Sequence, residues 1–182
     1  MNFRLLLIAL LFSGCYAGEV ERDLNREPFF DLAGYIDAQV DSLTALRPTV
    51  EKTVVLNGTE ETKQLTDLNF ATDLRLFREA DINKPAWLDK YSVATEERGG
   101  SRARIYTATD SSLQTRLLEV VTGPEDQPER ILIERRTGTV LSDGNHRLVY
   151  SPASGYEIHT EQTNRFGDDL DATITVRWVQ KK

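Results

Sequence analysis

From Tyr91 onward the chain repeats one pattern, a short β-prone run followed by a short polar link. The runs are YSVATEE, RARIYTAT, TRLLEVV, RILIERR, HRLVYS, YEIHTEQ and ATITVRWVQ. Between them stand Gly99-Gly100, Asp110-Ser111-Ser112, GPEDQP, SDGN, SPASG and NRFGDD. Short strands joined by short polar turns favour an antiparallel meander. In the last run Ile174, Val176 and Trp178 share one face, and Thr173, Thr175 and Arg177 share the other. That alternation belongs to a sheet with one buried side and one wetter side.

Upstream the period changes. Phe29, Leu32, Ile36, Val40 and Leu43 recur at spacings of three and four, the stripe of an amphipathic helix. Pro28 suits a first helical turn and Arg47-Pro48 closes the segment. TVVLNGTEETKQL then sets two β-prone runs around Asn57-Gly58, the dipeptide that best accommodates positive φ in a hairpin turn. NGT is also formally a glycosylation sequon, but the turn explains it without further assumptions. A second helix is expected over residues 67–80, with Phe70, Leu74 and Phe77 on one side. Trp87 follows as a packing anchor. The expected fold class is α+β: two N-terminal helices with a hairpin between them, then a curved antiparallel sheet of about six or seven strands.

The head of the chain has a separate character. Arg4 precedes an unbroken apolar run, Leu5 to Phe12, and Ser13-Gly14-Cys15 follows. Eight residues at about 1.5 Å each fall far short of a bilayer core of about 30 Å, so the run fits the core of a removable signal peptide and not a membrane span. Residues 16–27, YAGEVERDLNRE, are polar and carry no repeating apolar face, as in a tether. The expected organisation is a signal peptide at 1–14, a lipid-anchored tether at 15–27 and one α+β domain at 28–182.

Ser13, Gly14 and Cys15 resemble the lipobox of bacterial lipoproteins, with Phe12 where an aliphatic residue is usual and Leu11 one place earlier. The resemblance implies that Cys15 receives a diacylglyceryl thioether and becomes the first mature residue. Two or more acyl chains hold a protein on a membrane where one does not. The alternative is ordinary secretion with cleavage after Ala17, since Cys15-Tyr16-Ala17 also offers small residues. Cys15 is the only cysteine, so an internal disulfide cannot account for it. Tyr16 stands where an Asp often marks inner-membrane retention, and the resemblance therefore points to the outer membrane, facing the periplasm. FFDLAGYIDAQVDSL, the hairpin, and LRLFREADINKPAWLDKY together resemble a group of small, uncharacterised bacterial lipoproteins across residues 29–91. That group brings no catalytic residues with it.

Charge narrows the partners. Twenty-two Lys and Arg against 29 Asp and Glu give a net charge of −7, and removing Arg4 with the leader makes it −8. Binding to a phosphate backbone needs clustered basic residues, so nucleic acid is excluded as a partner. Acid and base are interspersed, as on an ordinary solvated surface. Arg102, Arg104, Arg116, Arg135, Arg136, Arg147 and Arg177 are spread over the strands, and cross-strand pairing with Glu119 and Glu134 accounts for them.

Catalytic signatures are scarce. No GxSxG elbow occurs, and the scattered glycines build no phosphate-cradling loop. His146 adjoins the Asp143-Gly144-Asn145 turn. His159 alternates with Glu157 and Glu161 on one strand face, the weak candidate for a metal-binding row. Asp168, Asp169 and Asp171 lack the loop glycine and closing glutamate of a calcium hand and read as a solvated turn. No catalytic residue, metal or cofactor is assigned.

These observations lead to the expectation of a non-enzymatic, lipid-anchored envelope protein. Its curved sheet would bind a hydrophobic or extended ligand, or a partner protein. An open concave face lined with apolar residues goes with the ligand; a closed, packed interior goes with the partner. The rival is a metal-assisted hydrolase using His159 with Glu157 or Glu161, which requires those side chains to converge on one point.

Overall fold

A computed structural model describes residues 29–179. Cys15, the leader and the tether lie outside the described residues. The chain runs α1 (Leu32–Leu46), β1 (Val50–Leu56), β2 (Thr59–Leu65), α2 (Phe70–Asp73), α3 (Arg75–Glu79), and then β3 (Tyr91–Arg98), β4 (Ser101–Ala108), β5 (Thr115–Thr122), β6 (Pro128–Gly138), β7 (Ser142–Ser151), β8 (Gly155–Asn164) and β9 (Leu170–Trp178).

The strands form a single antiparallel sheet in the order β2-β1-β9-β8-β7-β6-β5-β4-β3. The seven runs read from Tyr91 onward are β3 to β9. The expected count of six or seven falls short because the Asn57-Gly58 hairpin does not stand apart. It joins the sheet through β1 against β9, from Val50 opposite Trp178 to Leu56 opposite Ala172. Alternation within a strand shows that it has a buried face but not which distant strand lies beside it.

The helical expectation is half met. Asp31 caps α1 by accepting the Gly34 amide at 2.9 Å, and Arg47 closes it in the left-handed conformation at φ 45°. The helix starts at Leu32, later than Pro28, because Asp31 supplies the N-terminal cap. The second helix, expected over 67–80, is two short pieces. Asn69 caps the first through the Thr72 amide, and Leu74 at φ −90°, ψ 3° interrupts the run before α3. Leu74 and Phe77 are both fully buried, so sheet contact has set this backbone in place of a continuous ladder.

α1, α2 and α3 cover one face of the sheet. Phe29, Leu32, Ile36, Leu43, Phe70, Leu74 and Phe77 pack with Tyr106, Leu118, Val120, Ile131, Ile133, Leu148, Tyr150, Tyr156, Ile158 and Val176 in one apolar cluster. Phe77 is wedged edge-on between Tyr150 and Tyr156, each ring 6.0 Å away. Burying a tyrosine requires a partner for its hydroxyl, and here those partners tie helix to sheet. Tyr150 donates to Gln39 of α1 at 2.9 Å, and Tyr156 donates to Asp73 of α2 at 2.7 Å. Lys52 of β1 reaches the same Asp73 oxygen at 2.6 Å. The Phe30 amide donates to the Tyr106 hydroxyl at 3.1 Å.

One turn is displaced from its expected place. Asp143-Gly144-Asn145 lies inside β7, and the chain reverses between β6 and β7 at residues 139–141. The Thr139 side-chain oxygen accepts the Leu141 and Ser142 amides there, doing the work of a turn glycine. Gly144 is used for close packing instead: a Cβ would sit 2.8 Å from Thr137 Oγ1 and 3.2 Å from His146 Nε2.

Candidate functional site

With the inner face occupied, strand alternation defines what the other face displays. One cross-strand row runs Ile105, Glu119, Leu132, Val149, Glu157, Thr175; the next runs Leu117, Glu134, Arg147, His159, Thr173. Ile105, Leu117, Leu132 and Val149 are only half-buried, so this face has an apolar floor with charged walls.

Two hollows lie on it. The first, about 390 Å³, is bordered by Arg116, Glu134, Arg136, Asn145, Arg147, His159 and Glu161, with Arg135 and His146 between them. The second, about 210 Å³, is bordered by Arg130, Arg147, Val149, Ser151, Ser154, Gly155, Glu157 and Arg177. Arg147 belongs to both. On the helix side a further hollow of about 310 Å³ opens between the end of α1 and α2, lined by Leu43, Thr44, Arg47, Thr66, Asp67, Leu68 and Phe70.

The row of His159, Glu157 and Glu161 does not converge. His159 Nδ1 is 2.8 Å from the Thr173 hydroxyl, and Nε2 is 3.3 Å from Glu161. Glu157 stands opposite Thr175, one row away. Among the described residues, no three His, Cys, Asp or Glu side chains come together in a group able to hold a metal ion. The acidic turn instead organises its own loop. Asp169 accepts the Asn164 amide at 2.8 Å, and the Asp171 amide donates to Asn57 at 2.8 Å.

The arginines divide between the faces, which their even spread through the sequence conceals. Arg135 points inward and is 7% exposed. Its guanidinium donates to the Leu76 carbonyl at 3.3 Å and to Gln114 at 3.2 Å, with Glu79 4.0 Å away. Its Nε has no hydrogen-bond partner, and burial lowers its pKa. The charge braces α3 through the Leu76 carbonyl, a structural use. His146 lies alongside, between the Thr137 and Thr160 hydroxyls at 2.9 and 3.0 Å. Burial and the neighbouring Arg135 push its pKa down, so the ring is neutral at pH 7.

Cross-strand pairing accounts for several arginines. Glu119, 8% exposed, is clasped by Arg98 at 3.1 Å and Arg130 at 3.3 Å, and Arg102 reaches Glu97 at 3.3 Å. Arg147 and Arg177 stand otherwise, making no ion pair or side-chain hydrogen bond among the described residues. The cross-strand pairing expected for these two is absent: Arg147 stands opposite Glu134 but forms no ion pair with it.

At one end of the sheet three hairpin turns lie together. The Arg165 amide donates to the Leu141 carbonyl at 2.8 Å, and the Asn57 amide donates to the Asp171 carbonyl at 2.8 Å. This end exposes Val140 (85%), Leu141 (57%) and Phe166 (76%). Among the described residues no helix is long and apolar enough to cross a membrane. Comparison with known proteins gives no matching family model, no matching curated protein and no matching solved structure.

Proposed function

We propose that this chain is a non-enzymatic, lipid-anchored envelope protein that engages a partner protein at its surface. The observation that supports partner over carried ligand is the filled inner face. Helical side chains cover the sheet face on which an apolar ligand would lie, and Phe77, Leu74 and Ile36 there are fully buried. Exposed Val140, Leu141 and Phe166 offer an apolar contact of the kind partners cover. Cys15 carries the diacylglyceryl anchor in this reading, the chain faces the periplasm from the outer membrane, and residues 15–27 supply the reach.

The test takes the protein from its native membrane fraction and measures intact mass under native conditions. A diacylglyceryl-sized excess on Cys15 without a small-molecule adduct is the expected result. A photo-crosslinking residue at position 166 should then yield one discrete heavier species, while the same residue at Glu51 should not. A bare chain starting at Gly18 would replace the anchor with secretion. A bound small molecule would restore the carrier.

A further inference from the structure

We propose that the hollow beside Gly155, on the face of the sheet away from the helices, binds a phosphate group through Arg130, Arg147 and Arg177. The site does not depend on which partner the chain engages.

Geometry comes first. Arg130, Ser151, Gly155 and Arg177 belong to successive strands β6, β7, β8 and β9, with Ser151 opposite Gly155 and Gly155 opposite Arg177. Gly155 has φ +129°, and a Cβ there would meet the Val176 carbonyl oxygen at 1.9 Å, so no side chain can fill that place. The gap leaves a depression walled by cations on both sides. The next rows add Val149 and Glu157, then Arg147. Neighbouring strands lie about 4.8 Å apart and alternate residues about 7 Å, so one small group in the hollow lies within reach of all three long side chains.

Charge comes second. The whole chain is at −7, yet this lining holds three arginines against one carboxylate, Glu157. Elsewhere on the molecule several cations are paired: Lys52 with Asp73, Arg78 with Asp37, Lys90 with Asp110, Arg102 with Glu97. In the hollow, Arg147 and Arg177 have no such partner among the described residues, and Arg130 reaches only a Glu119 that Arg98 already contacts. Two unpaired guanidinium groups thus border one hollow, and an anion held between them would be attracted by both.

Chemistry selects the anion. A guanidinium presents paired N–H donors that match two oxygens of an oxyanion. A carboxylate, with two oxygens, satisfies one such fork. A phosphate has enough oxygens to meet forks from β7 and β9 together, and the Ser151 and Ser154 hydroxyls are additional donors on the rim. The shared Arg147 opens onto the larger hollow with Arg116 and Arg136, leaving space for the group that carries the phosphate. A soluble phosphate ester and a phosphorylated lipid headgroup present the same chemistry here.

The experiment uses the full lipidated chain in non-ionic detergent micelles, with arginine side-chain NMR signals as the readout. Inorganic phosphate is titrated in one arm, and phosphatidic acid, mixed into the micelles, in the other. The expected result is a saturable shift that weakens as salt is added. It should weaken at least about tenfold in Arg147→Gln/Arg177→Gln and persist in Arg102→Gln, as loss of charge-assisted hydrogen bonds requires. Saturation by both probes assigns a free phosphate site, and saturation by phosphatidic acid alone assigns a headgroup site. Absence of a saturable shift in both arms, or a shift that survives the double substitution in a chain with native circular dichroism, overturns the proposal.

Discussion

Gly155 shows how a single residue can carry both stability and shape. Gly155→Ala places a methyl group against backbone that cannot yield and forces a side chain into positive φ. We expect a loss of about 2–4 kcal/mol in urea unfolding, at the upper end for a single substitution. His146 makes a second prediction at this scale. Its folded pKa lies below the unfolded value of 6.5, so its contribution is fully present at neutral pH. Below about pH 6.5 the unfolded chain binds the proton more readily than the folded one, and stability falls with pH. His146→Gln should flatten that limb of a stability-against-pH curve below about pH 6.5, read by urea midpoints.

At the scale of elements, the helices hold to the sheet through a few large contacts. Phe77 of α3 is fully buried between two tyrosine rings, so Phe77→Ala should cost about 3–5 kcal/mol, and thermal unfolding measures it. Most elements are legible in the residues alone. Seven strand-like runs from Tyr91 onward become seven strands, and the stripe of Leu32, Ile36 and Leu43 becomes the buried side of α1. What misleads is residue chemistry with two uses. Asp-Gly-Asn at 143–145 has turn composition, yet Gly144 serves packing while Thr139 makes the turn. The candidate site was less legible still. Histidines and carboxylates drew notice through their spacing on one strand, whereas the hollow takes its arginines from three strands whose register no local pattern records.

Taken whole, the molecule adds buried tyrosine hydroxyls to its apolar packing, tying helices to the sheet. Burial holds Tyr35 and Tyr91 up at about 12, and raises Tyr150 and Tyr156 further. The unfolded chain ionises its tyrosines near 10, so this stabilisation is complete below about pH 10 and is lost as pH climbs toward and beyond 12. Tyrosinate absorbance and circular dichroism, followed together, should change in one step on the alkaline side. Separate steps, with phenolate forming in a folded chain, would mean that these hydroxyls open to water without the core parting.

The pairing of β1 with β9 also sets an order of events. Val50 meets Trp178, and Leu56 meets Ala172, contacts that span most of the domain's length. Every other pairing in the sheet joins strands that follow one another in the chain. β1 has only its hairpin partner until the last strand is made, and such distant closures slow folding. The sheet of a chain emerging from a ribosome therefore stays incomplete until β9 has been made, and any chaperone that escorts it has until then to act.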